Sequence, residues 1–175
     1  MKAIVLIENH YEDSELIYPY YRLQEAGFEV DLVGPEADTV YTGKNGVPMT
    51  SDLAAEDVDV SEYDVVVIPG GYSPDHMRRH EAMVDIVRDA DAAGKTVAAI
   101  CHAGWLLAEA GIVKGRRITS FFAIKTDMVN AGGDWVDEEV VVDGNLVTSR
   151  HPGDLPAFTR AILEMTRSAQ AAKAS

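Results

Sequence analysis

Residues 3–7, AIVLI, are five apolar side chains in a row, bounded by polar residues. Such an uninterrupted run predicts a strand buried on both faces of a parallel sheet. From Ser14 to Ala26, Leu16, Ile17, Tyr20 and Leu23 recur at helical spacing until Gly27 stops the pattern, so a helix follows. Pro19 argues against a regular first turn. FEVDLVGP alternates into a Gly-Pro stop and DVVVIPGG is a second apolar run; both predict strands. Between them, KNG predicts a turn joining short strands. Residues 81–93 carry Met83, Val84, Ile86, Val87 and Ala90 at helical spacing before Gly94, and TVAAI is a further buried strand that runs straight into Cys101. AGWLLAEAG predicts a short helix ended by Gly111 and residues 123–131 another. VVVDGNLVTS predicts a hairpin about Asp143-Gly144, and residues 153–173 the closing helix.

Strands alternating with helices imply right-handed crossovers and a mostly parallel central sheet covered on both faces. The expected fold class is therefore α/β, a flavodoxin-like three-layer sandwich. With no internal repeat and no linker, residues 1–175 are expected to form one domain. Ligands in such sheets bind at the carboxyl ends of the strands, near the point where the strand order reverses.

Composition narrows the function. The formal net charge is −14, and the basic residues do not cluster beyond Arg78-Arg79 and Arg116-Arg117, which argues against neutralising nucleic-acid phosphates. No apolar run approaches the roughly 18 residues needed to span a bilayer. The first residues turn acidic without a cleavage site, which predicts a cytoplasmic protein with no membrane partner. One cysteine among 175 residues cannot form an internal disulfide, and it leaves a free thiol to explain.

Three polar clusters follow three predicted buried strands: Glu12-Asp13 with Glu15, Gly70-Gly71, and Cys101-His102. They should converge on one rim. A-I-C-H-A resembles a strand-to-helix elbow that exposes a nucleophile, with Ala99 and Ala103 as the small flanking residues such a turn requires. A thiol at a helix start is expected to have its pKa lowered by the unpaired N–H groups and the helix dipole; the bland alternative is a small buried hydrophobe. Gly70 and Gly71 are either a simple turn or a place where the backbone approaches a ligand, the Gly71 and His102 N–H groups then facing a developing oxyanion. Glu12 either complements the helix dipole or faces Cys101, where burial would raise its pKa and let it move a proton. Asp13 and Glu15 are expected to be solvated or capping. His102 follows the nucleophile but need not touch its sulfur, and it wants an orienting partner. The other histidines lack metal-ligand spacing, so no metal or cofactor is expected. Arg150 and His151 end a hairpin strand and either line a pocket or belong to a solvated loop, the latter being favoured.

The segments YEDSELIYPYYRLQEAGFEV, VVVIPGG, AAICHAGWLLAEAGIVKGRRITS and GGDWVDEEVVVDGNLVTSR resemble the PfpI intracellular protease branch of the ThiJ/PfpI superfamily over almost the whole chain. The resemblance implies a nucleophilic cysteine on the elbow, Cys101, and an interacting glutamate, Glu12. In PfpI-like proteases the histidine after the cysteine is completed into a triad by an acidic residue of a neighbouring subunit. Asp75 matches that position, where glutamate is typical. Ala103 stands where glycine is usual, and Phe121 replaces a pocket tyrosine, removing a hydroxyl. The implied partners are a small aldehyde or peptide substrate and further copies of the chain, as a dimer or hexamer. Three activities follow from the resemblance: glyoxalase or deglycase chemistry on methylglyoxal and glycated protein, peptide hydrolysis through a cross-subunit triad, and a stress sensor working through oxidation of Cys101. An intact Glu12 and a short Asp75 favour the first.

Overall fold

The computed structural model describes residues 1–174. Strand β1 (Lys2–Leu6) leads through helix α1 (Asp13–Glu25) to β2 (Glu29–Gly34), followed by three short strands, β3 (Val40–Thr42), β4 (Pro48–Thr50) and β5 (Leu53–Ala54). The middle of the chain is β6 (Val65–Ile68), α2 (Ser73–Met77), α3 (Glu81–Ala92), β7 (Thr96–Ile100) and α4 (Gly104–Glu109). It ends with β8 (Arg117–Ile118), α5 (Lys125–Asn130), β9 (Asp134–Trp135), β10 (Val141–Asp143), β11 (Leu146–Ser149) and α6 (Leu155–Ala174). Among these residues seven strands form the central sheet, in the order β10-β11-β7-β6-β1-β2-β5. Its neighbours are parallel except in the β10–β11 hairpin.

The unbroken apolar runs are explained by burial on both faces. Along β1, Ile4 and Leu6 pack with Val66, Ile68, Val97 and Ala99 against Val87 of α3 and Leu106 of α4. Ala3 and Val5 point the other way, into a cluster with Val65, Val67, Ala98, Leu16 of α1 and Phe158 of α6. Two apolar layers on one sheet make the three-layer α/β sandwich, because side chains alternate faces along each strand. β1 lies centrally, with β2 on one side and β6 on the other. The carboxyl ends of β1, β6 and β7 therefore meet at the reversal of strand order, where a crevice opens.

Some local expectations change. Helix α1 runs through Pro19, which is buried, so packing against the sheet outweighs the proline's missing donor. The region expected to be helical over 123–131 begins as a tight 3-10 turn at Phe122–Ile124 before α5. Helix α2 and the β8–β9 pair have no counterpart in the periodicity, because elements of five and two residues are too short to show a period. No helix is long and apolar enough to cross a membrane among the described residues.

Arg150 is a corner clamp rather than a solvated loop residue. Its Nε and Nη2 donate to the two oxygens of Asp154 at 2.9 and 3.0 Å, and its Nη1 donates to Asp137 at 2.9 Å. The Asp154 side chain is only 3% exposed. Burial alone would raise its pKa, but the guanidinium and the Arg150 backbone N–H outweigh burial and hold the carboxyl below its ordinary range. Arg150→Ala should therefore cost about 3 kcal/mol in urea unfolding at neutral pH, since it leaves a buried carboxylate uncompensated. The sign with pH follows from the depressed pKa. The stability from this pair is full above the unfolded value near pH 4 and is lost as pH falls through the lower folded value, so the wild type should lose its advantage over the variant in acid.

Candidate active site

Three strand ends build one cavity of about 260 Å³, walled by Glu12, Glu15, Lys44, Gly71, Tyr72, Cys101, His102 and Phe121, with His151 and Pro152 closing its edge, so that His151 lines a pocket. A larger hollow of about 540 Å³ on the outer face of α1, beside Tyr18 and Tyr21, contains neither the thiol nor the histidine beside it.

Cys101 leaves β7 with φ at +63°, in the left-handed region. A non-glycine residue held there costs on the order of 1–2 kcal/mol. The turn swings the side chain off the strand, and the backbone N–H groups of His102 and Gly71 favour the ionised sulfur. The second of these is aimed by a pinned loop. The N–H of Glu12 donates to the Gly70 carbonyl at 3.2 Å and the N–H of Tyr72 to the His10 carbonyl at 2.9 Å, which makes Tyr11 and Gly71 bridge partners. Gly71 has φ at +75°, and a Cβ there would fall 2.5 Å from the His10 carbonyl oxygen and from the Glu12 nitrogen. Glycine is therefore required by backbone conformation and by space together.

The carboxyl beside the sulfur belongs to Glu15. It is fully buried, its Oε2 accepts a hydrogen bond from the Gly70 N–H at 2.8 Å, and it interacts with the Cys101 side chain. The other oxygen, Oε1, is sealed from solvent without a hydrogen-bond partner of ordinary geometry among the described residues. Burial is the main cause that pushes the Glu15 carboxyl up to about 8. Burial, followed by the charge of an ionised Glu15, pushes the Cys101 thiol up to about 12. Loss of water around the sulfur thus opposes the lowering expected from the helix start. The two side chains titrate as one coupled pair. At neutral pH Glu15 carries its proton, so its charge does not oppose a thiolate and its O–H is available to donate.

Glu12, expected opposite Cys101, lies at the rim, where its carboxylate pairs with Lys44 and accepts from the Ser14 hydroxyl at 3.4 Å. The reason is the helix boundary. Glu12 precedes the first turn of α1, whereas Glu15 lies on the same stripe as buried Pro19 and Leu23, at spacings of four and eight. That coincidence with the apolar stripe was the available signal. Asp13 is also buried rather than solvated. It accepts from the Asn45 and Val47 backbone N–H groups at 2.9 and 3.0 Å and so fixes the β3–β4 turn. That turn delivers Lys44, a residue the sequence did not single out, into the cavity. Burial would raise the Asp13 pKa, but these donors outweigh it and hold the carboxyl low.

His102 does reach the sulfur, with Nδ1 3.3 Å from Sγ. Burial, and then Lys44, hold its pKa below the ordinary value, so the imidazole is neutral at pH 7. Phe121 borders the cavity, and its N–H donates to the Cys101 carbonyl at 3.1 Å. Gly70 and Gly71 stand where expected. Ala103 does not: it is fully buried in the core on the opposite sheet face, so its small size serves packing behind the elbow. Asp75 is ion-paired with Arg79 on the surface and makes no hydrogen bond to His102 of its own chain. Among the described residues no three His, Cys, Asp or Glu side chains converge to hold a metal.

A model of the DJ-1/PfpI family matches residues 1–165. The chain is 47% identical over 167 residues to a protein of Pyrococcus furiosus named deglycase PfpI, covering 95% of this chain and all of that one. It is 42% identical over 166 residues to the protein/nucleic acid deglycase 2 of Escherichia coli, covering 94% and 96% respectively. Among solved structures, a two-domain protein of Anabaena variabilis with DJ-1/ThiJ/PfpI-like and ferritin-like domains superposes with a TM-score of 0.92 at 48% identity. That match covers 93% of this chain and 47% of the other, so the chain spans about half the length of that relative.

The crowding behind the sulfur generates a direct test. A Cβ on Gly70 would fall 2.5 Å from Glu15 Oε2, 2.7 Å from Cys101 Cβ and 2.9 Å from the Ile100 carbonyl oxygen. Gly70→Ala should destabilise the fold by about 1–3 kcal/mol in urea unfolding and slow alkylation of Cys101 by iodoacetamide at pH 7, because the protonated Glu15 carboxyl is displaced from the sulfur and can no longer donate to the thiolate.

Proposed function

Because the chain belongs to the DJ-1/PfpI family, we propose that it is a cysteine-dependent deglycase, acting on adducts of reactive aldehydes such as methylglyoxal with amino groups of proteins. The observation that carries this reading is the fully buried Glu15 carboxyl packed beside Cys101 across Gly70, where burial pushes its pKa up to about 8 and so keeps its proton at neutral pH.

In this mechanism His102 Nδ1 takes the thiol proton and the sulfur attacks the carbinol carbon of the adduct. The S–C bond forms as the C–N bond breaks, and the amine leaves with the proton of Glu15. The product on the enzyme is a hemithioacetal. Glu15, now a carboxylate, removes the hydrogen from that carbon, while the imidazolium returns its proton to the neighbouring ketone oxygen, giving an enediol. Return of the Glu15 proton to the second carbon, as the hydroxyl beside the sulfur gives its own proton back to the Glu15 carboxylate, leaves a thioester, which water hydrolyses to a 2-hydroxy acid and the free thiol. No oxidant or reductant is consumed. The N–H groups of Gly71 and His102 face the oxygen that gains charge when water attacks the thioester. Lys44, held by Glu12 at the cavity rim, supplies positive potential for the enediol oxygens. Peptide hydrolysis would need Asp75 from a second copy of the chain to orient His102, whereas the deglycase steps use only residues of one chain.

Cys101→Ala and Glu15→Gln should each lower amine release from a methylglyoxal adduct by about 10²-fold or more, followed by NMR. Glu12→Gln should retain activity within about tenfold. Full turnover in Glu15→Gln would overturn the assignment. Activity should also decline above about pH 8, as Glu15 loses the proton it gives to the amine. The same raised pKa fixes the sign for folding. Glu15 is protonated in the folded chain over a range in which the unfolded chain is ionised, so stability is greatest below the ordinary glutamate value and is lost as pH rises towards 8. Thermal unfolding of Glu15→Gln should be flatter with pH across that window than that of the wild type.

A further inference from the structure

His102 contacts Sγ through Nδ1, yet among the described residues nothing hydrogen-bonds its other ring nitrogen. A histidine working beside a nucleophile is ordinarily oriented through that second nitrogen. Here the ring is gripped by two aromatic plates. The Trp105 indole lies edge-on with its centroid 5.0 Å away and the planes at 61°, and the Phe121 ring lies at 5.0 Å and 30°. Both distances fall within the range of favourable aromatic pairs.

Each plate is itself fixed. Phe121 is tied to the nucleophile by its N–H bond to the Cys101 carbonyl. Trp105 on α4 donates its Nε1–H to Asp127 Oδ2 on α5 at 2.9 Å. The two helices approach closely at the neighbouring residue, where a Cβ on Gly104 would fall 2.7 Å from Met128 Sδ. Small Gly104 lets α4 settle onto α5, and the settling brings the indole within reach of the carboxylate.

We propose that Trp105, anchored by Asp127, is a positioning residue that holds the His102 imidazole against Cys101. The inference concerns the Cys101–His102 pair and is independent of the substrate, so it is tested without one. Alkylation of Cys101 by iodoacetamide as a function of pH reads the pair, and NMR titration reads the His102 ring. In Trp105→Ala the ring gains water and freedom. Its midpoint should rise towards the ordinary histidine value, and alkylation at pH 7 should slow by about tenfold. Trp105→Phe, which keeps a plate but loses the anchor, should fall between the two, and Asp127→Ala should follow it, whereas Asp127→Asn retains an acceptor for the indole and should behave as wild type. A purely structural tryptophan would lower the melting temperature without moving the His102 titration. Unchanged titration and alkylation in Trp105→Ala overturn the proposal, and should that variant not fold, unchanged behaviour in Asp127→Ala does so.

Discussion

The hydrogen bond from the Gly70 N–H to Glu15, 2.8 Å long and shut away from water, joins the two halves of the active site. It fixes a carboxyl from the first helix against a loop from the third long strand, and it holds that carboxyl where the turn out of β7 places the sulfur. A single hydrogen bond cannot compensate an ionised carboxylate so deeply buried, so the group keeps its proton. A kept proton is a donor, and a neutral neighbour does not repel a thiolate. The absent side chain at Gly70 belongs to the same constraint, because carboxylate, thiol and main chain leave no volume for a methyl group.

Around that joint the fold spends local stability on geometry. Cys101 occupies a left-handed conformation directly after a fully buried five-residue strand. The β3–β4 turn is bolted to the start of α1 by Asp13 and to Tyr11 by the Lys44 N–H, and together these bring Lys44 over the cavity. On a chain with a net charge of −14, one ammonium held by a cavity-facing carboxylate makes the site locally less negative than its surroundings, which favours an electron-rich intermediate.

The imidazole is controlled differently from the thiol. Backbone amides and a buried carboxyl set the electrostatics at the sulfur, whereas aromatic surfaces act on the ring by shape and by excluding water. Burial lowers the pKa of the histidine and raises that of the glutamate. One physical cause thus leaves both groups uncharged at neutral pH, one ready to accept a proton and the other to give one.

The layer architecture was legible in the chain because its strands are buried on both faces and announce themselves as unbroken apolar runs, and because glycine marks where helices stop. The nucleophile was legible for the same reason: Cys101 sits at the end of such a run. The choice between Glu12 and Glu15 was not. Both are acidic residues near one helix start, and which of them faces the sulfur depends on the residue at which the helix begins, a boundary that periodicity leaves loose by a residue or two. The bridge from Arg150 to Asp137, the arrival of Lys44 and the contact between Trp105 and Asp127 depend on segments that meet only in three dimensions. Sequence by itself determined the sheet, the crevice and the thiol, since these follow from local hydrophobic pattern. Tertiary structure alone decided which charges surround that thiol and which of them keep their protons, because protonation is set by burial and by partners distant along the chain.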